Sequence, residues 1–140
     1  MAEYVVDATI VISRFVREIY TPHTVALFAG LKTGDVLYIP EFCRLECINV
    51  LWKHVRFQGV ARAQAVQAVR DLVALPLTIV SADPVYERAL ELGLDHGLAV
   101  YDSVYIALAE KYRCPLITAD GPQQRASTTA GVTLKPVTDF

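Results

Sequence analysis

The stretch from residue 100 to residue 120 constrains the fold of this chain most strongly. Its apolar periodicity predicts a helix from about Asp102 to residue 112, and a Cys-Pro turn then leads into a short apolar strand at 116–118. Both elements are about 16 Å long, because a helix rises about 1.5 Å and a strand about 3.3 Å per residue. If the strand returns antiparallel to the helix, the helix begins and the strand ends at the same edge of the domain. The carboxylates of Asp102 and Asp120 are therefore expected to meet there.

The rest of the chain alternates short apolar runs with amphipathic segments. Further strands are predicted at residues 3–6, 36–39, 77–80 and 132–134, and helices are predicted between them. Such alternation is typical of the α/β class, so we expect a mainly parallel sheet of about five strands flanked by helices. The 140 residues suffice for a single domain, residues 1–140, that buries a core without disulfides or a structural metal.

Three further regions carry more specific expectations, two of them helices and one a loop. The helix before residue 100 is expected to end at Gly93, and the Gly-Pro-Gln-Gln-Arg segment at 121–125 is expected to be a polar loop. A long helix is expected from about Glu41, with apolar residues recurring every three or four positions. That apolar stripe consists of Phe42, Leu45, Ile48, Trp52 or Leu51, and Val55.

Composition limits the compartment and the classes of partner. The formal net charge is −2, so the overall charge does not indicate a nucleic-acid partner. The 54% hydrophobic content is high for a small domain and indicates a sheet covered on both faces or an exposed apolar interface. No run approaches the roughly 18 apolar residues of a membrane span, and the first residues lack a basic leader, so we expect a cytoplasmic protein with no membrane contact. The cysteines, at positions 43, 47 and 114, are expected to be reduced thiols.

Four acidic side chains are expected at one edge of the sheet. In an open parallel sheet, ligands bind outside the carboxyl ends of the strands. Asp7 ends the first strand, Asp120 ends the fourth, Asp102 begins a helix that packs towards this edge, and Glu46 lies about two turns beyond the end of the second strand. Carboxylates placed so close together raise each other's pKa values, and a divalent cation relieves that repulsion. Mg²⁺ or Mn²⁺ suits such oxygen ligands.

Hydroxyl groups next to these acids are candidates for orienting them. Thr118 points to the same face of its strand as Asp120, and Thr9 and Ser103 lie beside Asp7 and Asp102. The chemistry that such a metal site favours is phosphodiester hydrolysis. Each acid taken singly also has an ordinary explanation as a helix cap, a turn residue or a solvated side chain. The convergence of all four at one edge favours the metal site.

The same residues resemble those of a PIN domain, particularly the VapC-type toxins of prokaryotic toxin–antitoxin pairs. The resemblance covers essentially the whole chain in order and spacing, and Tyr-Asp-x-x-Tyr-x-Ala-Leu-Ala and Thr-x-Asp are its most specific motifs. The motifs are Val-Val-Asp7-Ala-Thr, Pro-Glu-Phe-Cys-Arg-Leu-Glu46-Cys-Ile-Asn-Val-Leu, Tyr-Asp102-Ser-Val-Tyr-Ile-Ala-Leu-Ala and Leu-Ile-Thr-Ala-Asp120.

This resemblance implies a fold, an activity and partners. It implies a three-layer fold with strand order 3-2-1-4-5, and a Mg²⁺-dependent endoribonuclease, with Mn²⁺ as a substitute, in which Asp7, Glu46, Asp102 and Asp120 bind metal and act in catalysis. The substrate would be tRNA, rRNA or mRNA. The partners would be a second copy of the chain, in a homodimer, and a small cognate antitoxin in the active-site groove. Apart from the resemblance, the apolar content and the aromatic residues Phe57, Trp52 and Tyr20 make the helices within residues 41–74 candidates for dimerisation or for contact with an antitoxin helix, and core packing of these aromatics is the alternative.

The chain departs from the family pattern in two places, and other classes fit less well. Thr9 stands where Ser is commoner, and the segment after Asp120 lacks the aromatic residue often seen there. A receiver domain needs paired early acids and a late lysine, and a two-aspartate phosphatase needs Asp-x-Asp, whereas position 9 is Thr. A PIN-fold protein with weak catalysis that binds RNA or acts as a scaffold stays open as the alternative.

Overall fold

The computed structural model describes residues 1–16 and 20–140 and has an α/β fold built on a parallel sheet. The described strands are β1 (Glu3–Val6), β2 (Val36–Pro40), β3 (Thr78–Val80) and β4 (Leu116–Ile117). Their order is β3-β2-β1-β4, and each neighbouring pair is parallel. The predicted class and the predicted order of the first four strands are confirmed.

The predicted fifth strand is reduced to an isolated bridge. Leu134 pairs in parallel with Leu116, supported by hydrogen bonds from the Leu116 N–H to the Thr133 carbonyl (2.9 Å) and from the Lys135 N–H to the Leu116 carbonyl (3.0 Å). The segment therefore lies beside β4, where the order 3-2-1-4-5 places it. It does not extend into a strand because β4 itself has two residues and Pro136, directly afterwards, has no N–H to donate.

Helices precede, connect and follow the strands. Their bounds are α1 (Ala8–Ile12), α2 (Thr21–Ala29), α3 (Cys43–Gln58), α4 (Arg62–Ala74), α5 (Tyr86–His96), α6 (Val100–Tyr112) and α7 (Gly121–Ala130). Short 3-10 turns follow α2, precede α5 and end the chain. No helix in the described ranges is long and apolar enough to span a bilayer.

Helix α6 lies at the centre of the molecule. Every side chain from Ser103 to Ala109 is buried, so this helix is covered on all sides and packs against α5 and the sheet. It begins two residues before the predicted start at Asp102. Arg113 ends it in the left-handed region, at φ 52°, and turns the chain back into β4. Helix, turn and returning strand follow the prediction made for this stretch.

Helix α5 continues beyond the predicted end at Gly93. It runs to His96, and Gly97 ends it at φ 65°. Gly93 is buried inside the helix, where a Cβ atom would lie 2.9 Å from the carbonyl oxygen of Leu98. This glycine therefore permits a close backbone approach between α5 and the chain entering α6, and it does not end the helix.

The predicted polar loop after Asp120 is wrong, because the segment forms helix α7. Asp120 is its N-cap, with the side chain accepting a hydrogen bond from the Gln123 N–H (2.9 Å). Pro122 is tolerated in the first turn, and Gly131 ends the helix at φ 81°. The helix contains few apolar residues, so periodicity did not reveal it, although both end signals are present in the sequence.

The long helix α3 starts two residues after its predicted start, and its buried face differs from the predicted stripe. Leu45 and Trp52 are 68% and 55% exposed, whereas Cys43, Cys47 and Leu51 are buried. Leu51, which the prediction gave as the alternative to Trp52, is the buried one of the two, and the two cysteines, which the prediction left out of the stripe, belong to the buried face. All three thiols of the chain are free and buried, which agrees with the expected reduced cysteines.

Candidate active site

Asp7 is the most deeply buried acid at the carboxyl edge of the sheet. It follows β1 directly, is 3% exposed and caps α1 by accepting a hydrogen bond from the Ile10 N–H (3.2 Å). Thr9 Oγ1 donates to Asp7 Oδ1 and Thr118 Oγ1 lies within donating distance of Asp7 Oδ2, each at 2.6 Å. Burial raises the pKa of Asp7 to about 6, against the opposing effect of these hydrogen bonds, and the charge of Asp120 raises it further.

The two threonines connect Asp7 to the chain that follows β4. The Ala119 N–H donates to Thr9 Oγ1 and the Asp120 N–H donates to Thr118 Oγ1, each at 3.0 Å. Each oxygen of Asp7 therefore contacts a hydroxyl that is itself held by the backbone between β4 and α7. The orientation of Asp7 consequently depends on the position of β4.

Ser103 does not join these contacts. Its hydroxyl donates to the Ala99 carbonyl one turn earlier (3.1 Å) and lies in the closely packed region near Gly93. The expectation that Ser103 supports an acid is wrong, because Ser103 lies on the buried side of α6 while Asp102 is only partly buried.

The other three acids lie at the first turns of helices, and their charges link them one after another to Asp7. Asp120 lies at the N-terminus of α7, Asp102 in the first turn of α6 and Glu46 in the first turn of α3. Burial raises the pKa of Asp102, and the charge of Asp120 adds to the effect. Burial also raises the pKa of Glu46, with a further contribution from the charge of Asp102, while its hydrogen bond from Tyr105 opposes the shift. The acids therefore form a series in which the charge of one raises the pKa of a neighbour, in the order Asp7, Asp120, Asp102 and Glu46.

The acids are neighbours but are not gathered into a closed cluster. Within residues 1–16 and 20–140, no group of three or more His, Cys, Asp or Glu side chains is arranged to enclose a metal ion. Three of the four acids are engaged in hydrogen bonds of their own. Asp7 and Asp120 cap helices, and Glu46 Oε1 accepts a hydrogen bond from Tyr105 (2.6 Å).

The chemistry of these groups nevertheless fits a hard divalent cation. All four side chains offer carboxylate oxygens, the ligands that Mg²⁺ and Mn²⁺ prefer. The raised pKa values of Asp7, Asp102 and Glu46 reflect burial and mutual repulsion, which a cation between them would relieve. A buried carboxyl with a pKa of about 6 is also a common sign of a functional site.

A groove of about 780 Å³ opens beside the acids, between α1 and α3. Glu46 and Thr9 line its acidic end. Tyr20, Asn49 and Lys53 line the rest together with aliphatic side chains. Asn49 and Lys53 are exposed and lie about one and two helical turns after Glu46, so the groove combines an apolar wall with an amide and one positive charge next to the acids.

Sequence reasoning missed two side chains that hold the acids. Tyr105 is 1% exposed and donates its hydroxyl proton to Glu46, and Gln123 is 1% exposed and contacts both Thr118 and the Asp102 carbonyl. The Asp-x-x-Gln spacing of a helix N-terminus could have identified Gln123, because Gln often follows a capping residue by three positions. No local pattern could have paired Tyr105 with Glu46.

Comparison with known proteins identifies the family. The PIN domain model matches residues 4–128, which is most of the chain. This chain belongs to the PIN domain family.

The curated relatives include VapC ribonucleases. The chain is 30% identical to Ribonuclease VapC3 of Pyrobaculum aerophilum over 118 residues, which cover 83% of this chain and 88% of that protein. It is 31% identical to Ribonuclease VapC12 of Mycobacterium tuberculosis over 101 residues, covering 72% of this chain and 76% of that one.

Solved structures share the fold at lower sequence identity. PAE2754 from Pyrobaculum aerophilum superposes with a TM-score of 0.75 at 20% identity, covering 99% of this chain and 92% of that one. VapC20 of Mycobacterium tuberculosis, described as a sarcin-ricin loop cleaving toxin, has a TM-score of 0.67 at 16% identity, covering 88% and 94%. VapBC2 of Rickettsia felis, bound to a promoter DNA fragment, has a TM-score of 0.65 at 13% identity, covering 96% and 98%.

Proposed function

We propose that this protein is a Mg²⁺-dependent endoribonuclease, with Mn²⁺ as a substitute, and that it is the toxin of a toxin–antitoxin pair. The observation that carries the proposal is the convergence of Asp7, Glu46, Asp102 and Asp120 at the carboxyl edge of the sheet, where burial, with a smaller contribution from repulsion, raises the pKa of Asp7, Glu46 and Asp102. Membership of the PIN family and similarity to proteins named as VapC ribonucleases support the same activity.

Each residue of the proposed metal site has its own role. Asp7, Asp102, Asp120 and Glu46 would hold the cation, Thr9 orients Asp7 Oδ1 and Thr118 contacts Asp7 Oδ2. Tyr105 holds Glu46 Oε1, so Oε2 is the oxygen that we assign to the cation or to a proton from the attacking water. When bound, Mg²⁺ supplies positive charge that stabilises the phosphoryl oxygens in the transition state.

The groove between α1 and α3 is where we place the RNA strand. It reaches the acids at Glu46 and Thr9, and Lys53 offers a positive charge for a phosphate. Tyr20 and the aliphatic wall suit an unstacked base, which is the form in which proteins commonly read RNA. The site carries no base-reading motif, so tRNA, rRNA and mRNA are all candidate substrates.

A second apolar groove, formed by helices within residues 41–74, suits the antitoxin, and we assign the antitoxin to it in place of the active-site groove that the resemblance implies. It lies between α3 and α4, measures about 320 Å³ and is lined by Trp52 and aliphatic side chains, with Arg56 and Arg62 also on its lining. Trp52 and Phe57 are 55% and 69% exposed and contact each other edge to face at 5.8 Å. Such a groove suits the apolar face of a helix. Several solved relatives are VapBC assemblies.

The alternative is a PIN-fold protein that binds RNA or acts as a scaffold with little catalysis. The observation that favours it is the open arrangement of the acids in the described part of the chain, which lacks a ready three-ligand cluster. A divalent cation that raises the melting temperature of the wild type but not of Asp7→Asn favours the nuclease. A melting temperature indifferent to both Mg²⁺ and Mn²⁺ favours the scaffold.

The proposed activity is tested by cleavage of a labelled RNA in Mn²⁺ and in EDTA. We expect cleavage that requires the cation and falls at least about 100-fold in Asp102→Asn, because the charge is lost while the shape is kept. Asp71→Asn, at an exposed position on α4, is the matched control and should cleave normally. Full activity in Asp102→Asn, or in EDTA, would contradict the assignment.

A further inference from the structure

Gln123 is a buried polar residue at the acid edge that the proposed mechanism does not use. It lies in the first turn of α7 and is 1% exposed. Its backbone N–H donates to Asp120 Oδ2 (2.9 Å), its Nε2 donates to the Asp102 carbonyl oxygen (3.1 Å), and its Oε1 lies 2.7 Å from Thr118 Oγ1. A buried amide is stable only when its polar atoms are paired, and here each is paired with a different acid-bearing segment.

The orientation of the Gln123 amide follows from its partners. The carbonyl of Asp102 can only accept a hydrogen bond, so the NH₂ group must face it. The opposite orientation would place two acceptor oxygens at the observed separation of 3.1 Å. Oε1 therefore faces Thr118, and the amide connects the start of α6 to the end of β4.

This orientation makes Gln123 compete with Asp7 for one proton. The Thr118 hydroxyl already accepts the Asp120 N–H (3.0 Å) and has a single proton to donate. Two acceptors lie within reach of that proton, Asp7 Oδ2 at 2.6 Å and Gln123 Oε1 at 2.7 Å. When the proton points to Gln123, Asp7 Oδ2 and Thr118 Oγ1 are left 2.6 Å apart with no proton between them, and a cation on Asp7 Oδ2 would relieve that repulsion.

We propose that Gln123 is a positioning residue of the metal site, which fixes the start of α6 relative to the end of β4 and takes the Thr118 proton, so that Asp7 Oδ2 is left without that hydrogen bond and favours a divalent cation. The segment that carries Gln123 is the one in which this sequence departs from the family pattern. The inference rests on the proposed metal site and is independent of the proposed RNA substrate.

The test is the affinity of the full chain for Mn²⁺, measured by electron paramagnetic resonance. Gln123→Met keeps the size of the side chain and removes both of its hydrogen bonds. We expect Mn²⁺ to bind about 10- to 100-fold more weakly, the range typical for partners that orient metal ligands. Gln67→Met, on the exposed face of α4, should bind as the wild type does. Binding by Gln123→Met within twofold of the wild type would overturn the proposal.

A double-mutant comparison separates positioning from a general packing effect. Thr118→Val removes the hydroxyl through which Gln123 reaches Asp7. If Gln123 acts through Thr118, Gln123→Met should weaken Mn²⁺ binding much less in the Thr118→Val background than alone. An equal loss in both backgrounds would overturn the proton-sharing part. If Gln123→Met does not fold, Gln123→Asn replaces it, since its shorter amide cannot span both partners, and the same loss is expected.

The outcomes distinguish this proposal from the proposed activity. A wild type that binds Mn²⁺ but cuts no RNA, together with weakened binding in Gln123→Met, overturns the nuclease and supports Gln123. A wild type that cuts RNA, with unchanged binding in Gln123→Met, overturns the proposal for Gln123 and leaves the nuclease. A wild type that binds no Mn²⁺ overturns both.

Discussion

At the scale of single residues, Asp7 combines deep burial with a negative charge. Ionisation of a buried carboxyl costs free energy because the charge loses its contact with water. Burial therefore raises the pKa of Asp7 from 3.8 to about 6. The folded protein therefore binds a proton between about pH 4 and pH 6 that the unfolded chain has released. The free energy of unfolding falls by about 3 kcal/mol as the pH rises through this window, at roughly 1.4 kcal/mol per pKa unit. Above the window it stays at the lower value.

Replacing Asp7 by Asn should remove this contribution. In EDTA at pH 7.5 we expect Asp7→Asn to be more stable than the wild type by about 1–3 kcal/mol, because the neutral amide needs no proton and the threonine hydroxyls can still pair with it. The difference should shrink towards pH 4, where Asp7 is protonated in the folded wild type. Urea unfolding at pH 4, 5.5 and 7.5 measures it. A difference that does not vary with pH would show that the charge of Asp7 is not the cause.

At the scale of elements, helix α7 depends on one of the proposed metal ligands. Asp120 caps the helix through the Gln123 N–H, and it also faces Asp7 and Asp102. The sequence contained the cap and the final glycine, but the scarcity of apolar residues indicated a loop. The helix is stabilised from outside, because Gln123, Ala126 and Ser127 are buried against the rest of the molecule. Tertiary packing therefore decided this element where local pattern did not.

Two substitutions at Asp120 separate the cap from the charge. Asn caps a helix about as well as Asp, whereas Ala does not. Metal-free Asp120→Ala should therefore be about 0.5–2 kcal/mol less stable than Asp120→Asn in urea unfolding. Both variants should lose cation-dependent RNA cleavage, because both remove the carboxylate. Equal stability of the two would contradict a capping contribution from Asp120.

At the scale of the whole molecule, one side of α5 exposes a row of apolar side chains to solvent. Tyr86, Leu90 and Leu94 are spaced by four residues, and Leu94 is 75% exposed. Val100 and Tyr101 at the start of α6 are exposed as well. Soluble monomers rarely expose several apolar side chains on one surface, and such a surface commonly forms an interface with another protein. It is the surface that we assign to the homodimer expected for this chain.

Charge on this row should separate the dimer. We expect the wild type to sediment as a dimer at micromolar concentrations and Leu94→Glu to sediment as a monomer, because an unpaired carboxylate would be buried in the interface. Val25→Glu, at an exposed position on α2, is the control and should stay dimeric. A monomeric wild type, or a dimeric Leu94→Glu, would contradict this assignment.

The amino-acid sequence by itself determined the strand order along the chain and the edge at which the acids lie. Parallel strands end on one side of a sheet, so Asp7 and Asp120 had to arrive there once the alternation of strands and helices was recognised. Four motifs in order, of which those around Asp102 and Asp120 are the most specific, indicated the family by resemblance, and the PIN model match confirms it. Local periodicity and turn residues were sufficient to place the strands and helices, because each of these signals depends on neighbours in sequence, and the family followed from the resemblance of the motifs.

Only the tertiary structure decided how the acids are held. The burial of Asp7, the pairing of Tyr105 with Glu46 and the contacts of Gln123 join residues that are distant along the chain. The same packing left Leu45 exposed, placed Gly93 inside a helix and shortened the fifth strand to a bridge. Such contacts depend on how the elements pack against each other, and a pattern of period two or near four does not encode that packing.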